Sequence, residues 1–277
     1  MRLKTVFHED FSLSRPSIHQ IISAFGSGLD LQSYKSKFDA LRATTQLGSN
    51  YVKSMPRYCY GSGLLDSDDK LTFFGETVNS KDPLLDLSHT QWLMHYHLSA
   101  PFGPGPVFWH ELVTQRFRIG DTFRKDEIAI QISEIYEREE GKSLAERSAR
   151  STATVFLGSY IKSDGLGNLG ILEKIGDSEY KVLEPPQPPM WTIGCALVAF
   201  WQIRYPDMAT IHLNDLYTEG FFTDIFMISK GGFNRTLENL QREGVIEVFR
   251  VAPPYQVALL NREINYYLEK MYGNNSY

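Results

Sequence analysis

At 277 residues, with 42% hydrophobic and 13% aromatic side chains, the chain can build two or three small cored domains and is too apolar to be disordered. A formal net charge of −5 excludes a broadly basic protein that holds nucleic acid by overall attraction. Two cysteines, Cys59 and Cys195, exclude a disulfide framework and a four-ligand zinc site, and they suit a reducing cytoplasm.

Tyr34, Phe38 and Leu41 share one face of a predicted helix from Tyr34 to Ala43. Leu47-Gly48 is a turn, and Ser49 or Asn50 can cap a second helix. That helix puts Val52, Met55 and Cys59 toward a core and Lys53, Arg57 and Tyr60 on the other side. Pro56 lies past its first turn and removes a hydrogen bond, so the helix either bends or starts later. Gly61 and Gly63 end it. Leu64-Leu65 and Lys70-Leu71-Thr72-Phe73-Phe74, joined by Asp66-Ser67-Asp68-Asp69, then read as wing strands. Residues 1–80 are thus expected to be a winged-helix-like domain that turns Lys53, Arg57 and Tyr60 toward DNA.

His89, His95, His97 and His110 fall close together. On a helix from Thr90 to Leu98, His95 and His97 point to different faces and cannot chelate one metal. Trp92, Tyr96, Phe108 and Trp109 around them mark a packed helix pair, so a core or hydrogen-bonding role is expected.

Ile128, Ile132 and Ile135 predict a helix from Asp126 to Glu137, with Glu134, Glu137, Glu139 and Glu140 as its solvated side. A second helix spans Ser143 to Ile161, with Leu144, Ser148, Val155 and Phe156 inward and the basic pair Arg147 and Arg150. Leu169 to Lys174 and Glu179 to Leu183 form a hairpin across Gly176-Asp177. Residues 81–190 therefore read as a middle helical domain with a wing-like hairpin. Glu179-Tyr180-Lys181, with Asp164 upstream, also has the acid-x-lysine spacing of nuclease hairpins, where carboxylates hold a divalent ion. No phosphate-binding glycine loop or nucleophile elbow is present.

Glu184-Pro185-Pro186-Gln187-Pro188-Pro189 is a linker. The apolar run from Trp191 to Trp201 is too short to span a bilayer and reads as a buried helix. Residues 191–277 are expected to form a C-terminal winged-helix domain, with a polar tail at 273–277. Two short helical patterns precede Ser229-Lys230-Gly231-Gly232, which opens a helix with Phe233, Leu237 and Leu240 inward. Gly244 is its C-cap, and Val245 to Phe249 and Gln256 to Leu260 are strands around Pro253-Pro254. Arg235, Asn239 and Arg242 line the opposite face at i, i+4 and i+7, the chemistry that reaches phosphates and base edges.

Charge is nowhere concentrated. Residues 1–120 carry 12 basic and 11 acidic side chains, residues 121–190 carry 9 and 13, and residues 191–277 carry 7 and 9. Any DNA contact must come from local clusters or from a partner.

Four motifs occur in order: FHEDFSLSRPSI at Phe7 to Ile18, LGSNYVKSMPRYCYGSGLL at Leu47 to Leu65, LTFFGE at Leu71 to Glu76 and DPLLDLSHTQWLMHYHL at Asp82 to Leu98. In combination they resemble a bacterial family encoded beside DNA-phosphorothioation and phage-defence genes, and within it the DNA-nicking component of Ssp-type systems. The resemblance implies a cytoplasmic, DNA-directed protein that works with a cysteine desulfurase, an ATPase and a sulfur-transfer enzyme. It implies that a nick gives this machinery access to the backbone.

The expected fold is mainly α with small β-hairpins, arranged as tandem winged-helix-like (helix-turn-helix) units. The expected partners are double-stranded DNA and proteins of the sulfur-modification machinery, with no membrane. The DNA-facing residues are Lys53, Arg57, Tyr60, Arg147, Arg150, Arg235, Asn239 and Arg242. Strand nicking would require a divalent ion, magnesium or manganese. Two alternatives are a transcriptional regulator without catalysis and a scaffold that recruits sulfur-transfer partners.

Overall fold

The structure, a computed structural model, describes residues 2–273, so the expected tail lies outside it from residue 274. The N-terminal part holds α1 (Arg15–Gly26), α2 (Lys37–Thr44), α3 (Tyr51–Gly61) and α4 (Phe73–Lys81). α2 starts later than the periodicity of Tyr34 suggests. Ser36 accepts a hydrogen bond from the Asp39 amide, which fixes the first turn after Tyr34 has passed. α3 continues without a break through Pro56, whose missing N–H deprives the Val52 carbonyl of its helical partner. Val52, Met55 and Cys59 are fully buried, so core packing holds the helix together there.

The expected N-terminal wing does not form. Leu65 and Leu71 make one isolated antiparallel bridge, and Phe73 and Phe74 begin α4 instead. The Thr72 hydroxyl accepts from the Gly75 amide and caps that helix. Gly75 is required there, because a Cβ would stand 2.0 Å from the Leu64 carbonyl oxygen.

The middle part contains α5 (Ser88–Ser99), α6 (Val107–Arg116), β1 (Thr122–Arg124), α7 (Lys125–Glu140), α8 (Glu146–Ile161), β2 (Leu172–Lys174) and β3 (Glu179–Val182). Ile128, Ile132 and Ile135 are buried on α7, and its glutamates at 134, 137, 139 and 140 are exposed, as their spacing demands. The hairpin β2–β3 recruits β1 to give the antiparallel order β1-β3-β2, with Phe123 opposite Tyr180.

The C-terminal part holds α9 (Met190–Arg204), β4 (Thr210–His212), α10 (Asp215–Thr218), α11 (Phe222–Ile225), α12 (Lys230–Arg242), β5 (Ile246–Phe249), β6 (Gln256–Leu259) and α13 (Ile264–Gly273). Its sheet order is β4-β6-β5. The same plan therefore occurs twice: a helix, a strand, further helices and a hairpin whose second strand pairs with the first strand. This order is consistent with a winged-helix-like fold.

Buried side chains from Phe7 to Tyr272 form one continuous cluster. α9 lies inside it, buried on nearly every face from Trp191 to Trp201, and packs against α5, α12 and α13. α13 returns to touch α4. Buried Arg15 ties α1 to two other segments: its guanidinium donates to the carbonyls of Leu85 (3.0 Å), Ser163 (2.6 Å) and Gly165 (2.9 Å) and pairs with Asp86. Among the described residues no helix is long and apolar enough to cross a membrane.

Candidate nucleic-acid interface

α12 is fixed at both ends. The Ser229 hydroxyl accepts from the Gly232 amide at 3.0 Å, and Gly244 leaves the helix with a left-handed φ of 73°. Phe233, Leu237 and Leu240 are fully buried beneath it. Arg235, Asn239 and Arg242 stand exposed on the far side. Arg242 donates to the Asn239 side-chain oxygen at 3.0 Å, which orients both groups outward from one turn. Arg235 makes no ion pair among the described residues. Beside this face, Arg250 at the end of β5 pairs with Glu238 (2.9 Å), and the Lys230 ammonium lies 5.2 Å over the Tyr217 ring.

Of the other five expected residues, Arg57 contacts the turn that carries His8, Glu9 and Asp10, and α8 contacts the same turn through other side chains. His8, Glu9 and Asp10 bridge α3 and α8, and Glu9 and Asp10 both adopt left-handed φ, 46° and 64°. From α3, Arg57 donates to the Phe7 carbonyl (2.9 Å) and to the Glu9 carboxylate (3.1 Å). From α8, Ser151 bonds Asp10, and Thr152 bonds the buried His8 ring at 3.0 Å. His8 Nδ1 accepts the Asp10 amide, so its other nitrogen carries the proton and donates to Thr152. Burial holds the His8 pKa below its ordinary value, which keeps this linker neutral. Arg147 and Arg150 are exposed on α8 just before Ser151, and Arg150 is engaged by Glu146 at 2.9 Å. Arg235, Asn239 and Arg242 on α12 belong to a separate face.

Lys53, Arg57 and Tyr60 do more than share a helix face. With the first residues of the chain and with α2 they line a cleft of about 570 Å³. Five cations line it, Arg2, Lys4, Lys37, Lys53 and Arg57, against the carboxylates of Asp66 and Asp69. Both carboxylates are engaged within the protein. Asp69 is held by Lys37 at 2.6 Å, and one Asp66 oxygen accepts the amides of Asp68 and Lys70. The sequence offered no sign of Lys4 and Val6 as partners of α3, because an extended segment has no periodicity.

The acid-x-lysine spacing does not become a centre. Glu179 is exposed on β3 opposite Arg124, whereas Asp164 sits in the turn after α8, where its carbonyl accepts the Arg15 amide. Among the described residues no three His, Cys, Asp or Glu side chains gather where a metal ion could be held. His95 and His97 point to different faces as expected. His95 is fully buried, bonded to Tyr160 and the Ile225 carbonyl at 2.8 Å each. His97 packs against Gly63 and Phe74. Burial lowers both pKa values to about 4, so neither is a proton donor near neutrality. Burial also raises both cysteine thiols, which makes them poor nucleophiles.

No functionally curated protein matches the chain. Two solved structures share its fold. One is described as the magnesium ion-bound SspB crystal structure (TM-score 0.78, 16% identity), covering 98% of this chain and 88% of that one. The other is an SspB crystal structure with TM-score 0.77, the same identity and the same coverage. A sequence profile matches from residue 26 to residue 272, and the chain belongs to the family it describes, "Protein of unknown function (DUF4007)".

Proposed function

We propose that this protein binds double-stranded DNA as the cytoplasmic, DNA-directed component of a DNA sulfur-modification (phosphorothioation) and anti-phage defence system. The observation that carries the reading is the outer face of α12, where Arg235, Asn239 and Arg242 stand free of the core on a rigid, capped helix. In this reading residues 191–277 and 81–190 are tandem winged-helix-like units. Arg147 and Arg150 give the middle unit's contact, and Lys53, Arg57 and Tyr60 give a third from residues 1–80. The fold likeness to SspB and the sequence motifs support the sulfur-modification setting. Proteins of that machinery are the expected partners.

One SspB structure is described as magnesium-bound. The described residues of this chain do not fit a protein-held magnesium centre, since their carboxylates do not converge and those nearest the basic cleft are engaged by Lys37 and by backbone amides. Duplex binding is the activity that the α12 face supports, and strand nicking would need a magnesium ion held by one or two carboxylates together with the DNA phosphates. The experiment is a supercoiled-plasmid assay with magnesium, manganese or chelator. Retarded, intact plasmid in all three is the expected result. Relaxed circles that require metal would make the protein a nickase, and no retardation under any condition would remove the DNA reading.

A further inference from the structure

We propose that the cleft between the N-terminal segment, α2 and α3 takes a single unpaired nucleotide, gripping its phosphate with lysine and seating its base against apolar and aromatic walls. This inference rests on the DNA reading and specifies it: the N-terminal contact takes an unstacked base into a pocket.

Size comes first. About 570 Å³ is within the range of pockets that enclose a small organic ligand, and a phosphate alone would need far less. The lining has two kinds of surface. Val6 is 48% exposed, and half-buried Phe38 and Tyr60 bring aromatic rings to the lining, the Lys37 ammonium lying 5.9 Å over the Phe38 ring. A flat base stacks on such faces whatever its identity. Lys4 and Lys53 carry the free positive charge, for neither makes an ion pair among the described residues.

The fixed charge is set before any ligand arrives. Arg2 is anchored by the carbonyls of Ala100 and Gly105 at 3.1 Å each, and Arg57 by the Phe7 carbonyl. These contacts hold the two guanidiniums in place, so little freedom is lost on binding. Lys37 is already neutralised by Asp69, and Arg57 by Glu9. A base that is stacked and paired in a duplex is not available to a pocket. The ligand is an unpaired nucleotide, in a single strand, extruded from a duplex, or free.

The test uses the full chain with three probes: fluorescent oligothymidylate of about 12 nucleotides, in the size range of single-strand sites, thymidine 5′-monophosphate and inorganic phosphate. The expected result is saturable oligothymidylate binding that slows acetylation of Lys4 and Lys53, read by mass spectrometry. Val6→Asp and Lys4→Ala, both at exposed positions, should each weaken that binding about tenfold with unchanged melting temperature. Competition by the monophosphate at millimolar concentration would show that the pocket takes a free nucleotide; no competition would show that it needs a strand. Either result supports an unpaired nucleotide. Equal competition by inorganic phosphate, or unchanged acetylation and affinity in both variants, would overturn the proposal. Duplex affinity of an Arg235→Ala/Arg242→Ala protein reports on the α12 face alone, so the two readings fail separately.

Discussion

His95 and Tyr160 are joined by a 2.8 Å hydrogen bond whose direction the neighbouring groups dictate. The Ile225 carbonyl can only accept, so His95 Nε2 carries the ring proton and Nδ1 accepts the Tyr160 hydroxyl proton. Trp109 donates its indole N–H to the Tyr160 oxygen at 2.7 Å. One chain of bonds thus connects α6, α8, α5 and α11, all within the core. His95, expected to have a core or hydrogen-bonding role, has both ring nitrogens paired inside this buried network.

The first prediction is that this network is cooperative. His95→Gln and Tyr160→Phe should each cost about 2–3 kcal/mol, because each leaves a buried partner unpaired. The double variant should cost clearly less than the sum, since the second change removes a group already orphaned. Urea denaturation of the four proteins measures this. Strict additivity would show that the two side chains are energetically independent.

A second prediction concerns acid. His95 has a folded pKa of about 4, while an unfolded chain binds that proton near 6.5. Below 6.5 the unfolded state therefore holds more protons. Stability is complete above that pH, falls as the pH drops toward 4, and levels off beneath it. For His95 alone the loss is about 3 kcal/mol. His97 acts in the same direction, its pKa also lowered to about 4 by burial. Melting temperatures should fall steadily from pH 7 to pH 4.5. His95→Gln should flatten the slope by up to about 1.4 kcal/mol per pH unit. An unchanged slope in that variant would show that His95 is not the titrating group.

What the sequence revealed followed from local periodicity. Phe233, Leu237 and Leu240 gave α12, and the Ser229 and Gly244 signals gave its ends, because caps and helical faces are short-range properties. The hairpins β2–β3 and β5–β6 were legible for the same reason. The third strand of each sheet was not. Thr122–Arg124 and Thr210–His212 are three residues long and gain their pairing only from distant partners. The N-terminal wing failed because the apolar run of Leu71, Phe73 and Phe74 has strand composition, yet the Thr72 cap decides for helix. The basic cleft was half legible. Lys53, Arg57 and Tyr60 share a helix face, whereas Lys4 and Val6 reach it only after the chain has folded back on itself.

Arg15 supports the third prediction. Its guanidinium links the carbonyls of Ser163 and Gly165 to that of Leu85. Arg15→Met keeps the apolar stem and removes all these donors. The cost should be about 3–5 kcal/mol, the range for breaking a buried charged network. Arg15→Lys should recover only part of it, because an ammonium cannot span three carbonyls as a planar fork does. Chemical denaturation decides, and a near-neutral Arg15→Met would mean that water replaces the guanidinium at little cost.

The last prediction concerns affinity. The chain is net negative, and none of its three regions carries a basic excess beyond the one charge of residues 1–120. Several basic groups near the proposed contacts are already paired, Arg57 with Glu9, Arg150 with Glu146 and Arg250 with Glu238. Non-specific attraction to phosphate depends on uncompensated charge and is well screened at about 150 mM salt. The lone protein should therefore bind random-sequence duplex only at micromolar concentration under those conditions. The slope of log affinity against log salt should be shallow. Arg235→Ala/Arg242→Ala should reduce it by about two, one for each phosphate that no longer meets a cation. A basic partner is expected to raise affinity by docking on the acidic middle region, where 9 basic face 13 acidic side chains. Fluorescence anisotropy across a salt series, with and without the partner, measures these quantities. Nanomolar binding by the protein alone would contradict the charge argument and would make it an autonomous DNA-binding protein.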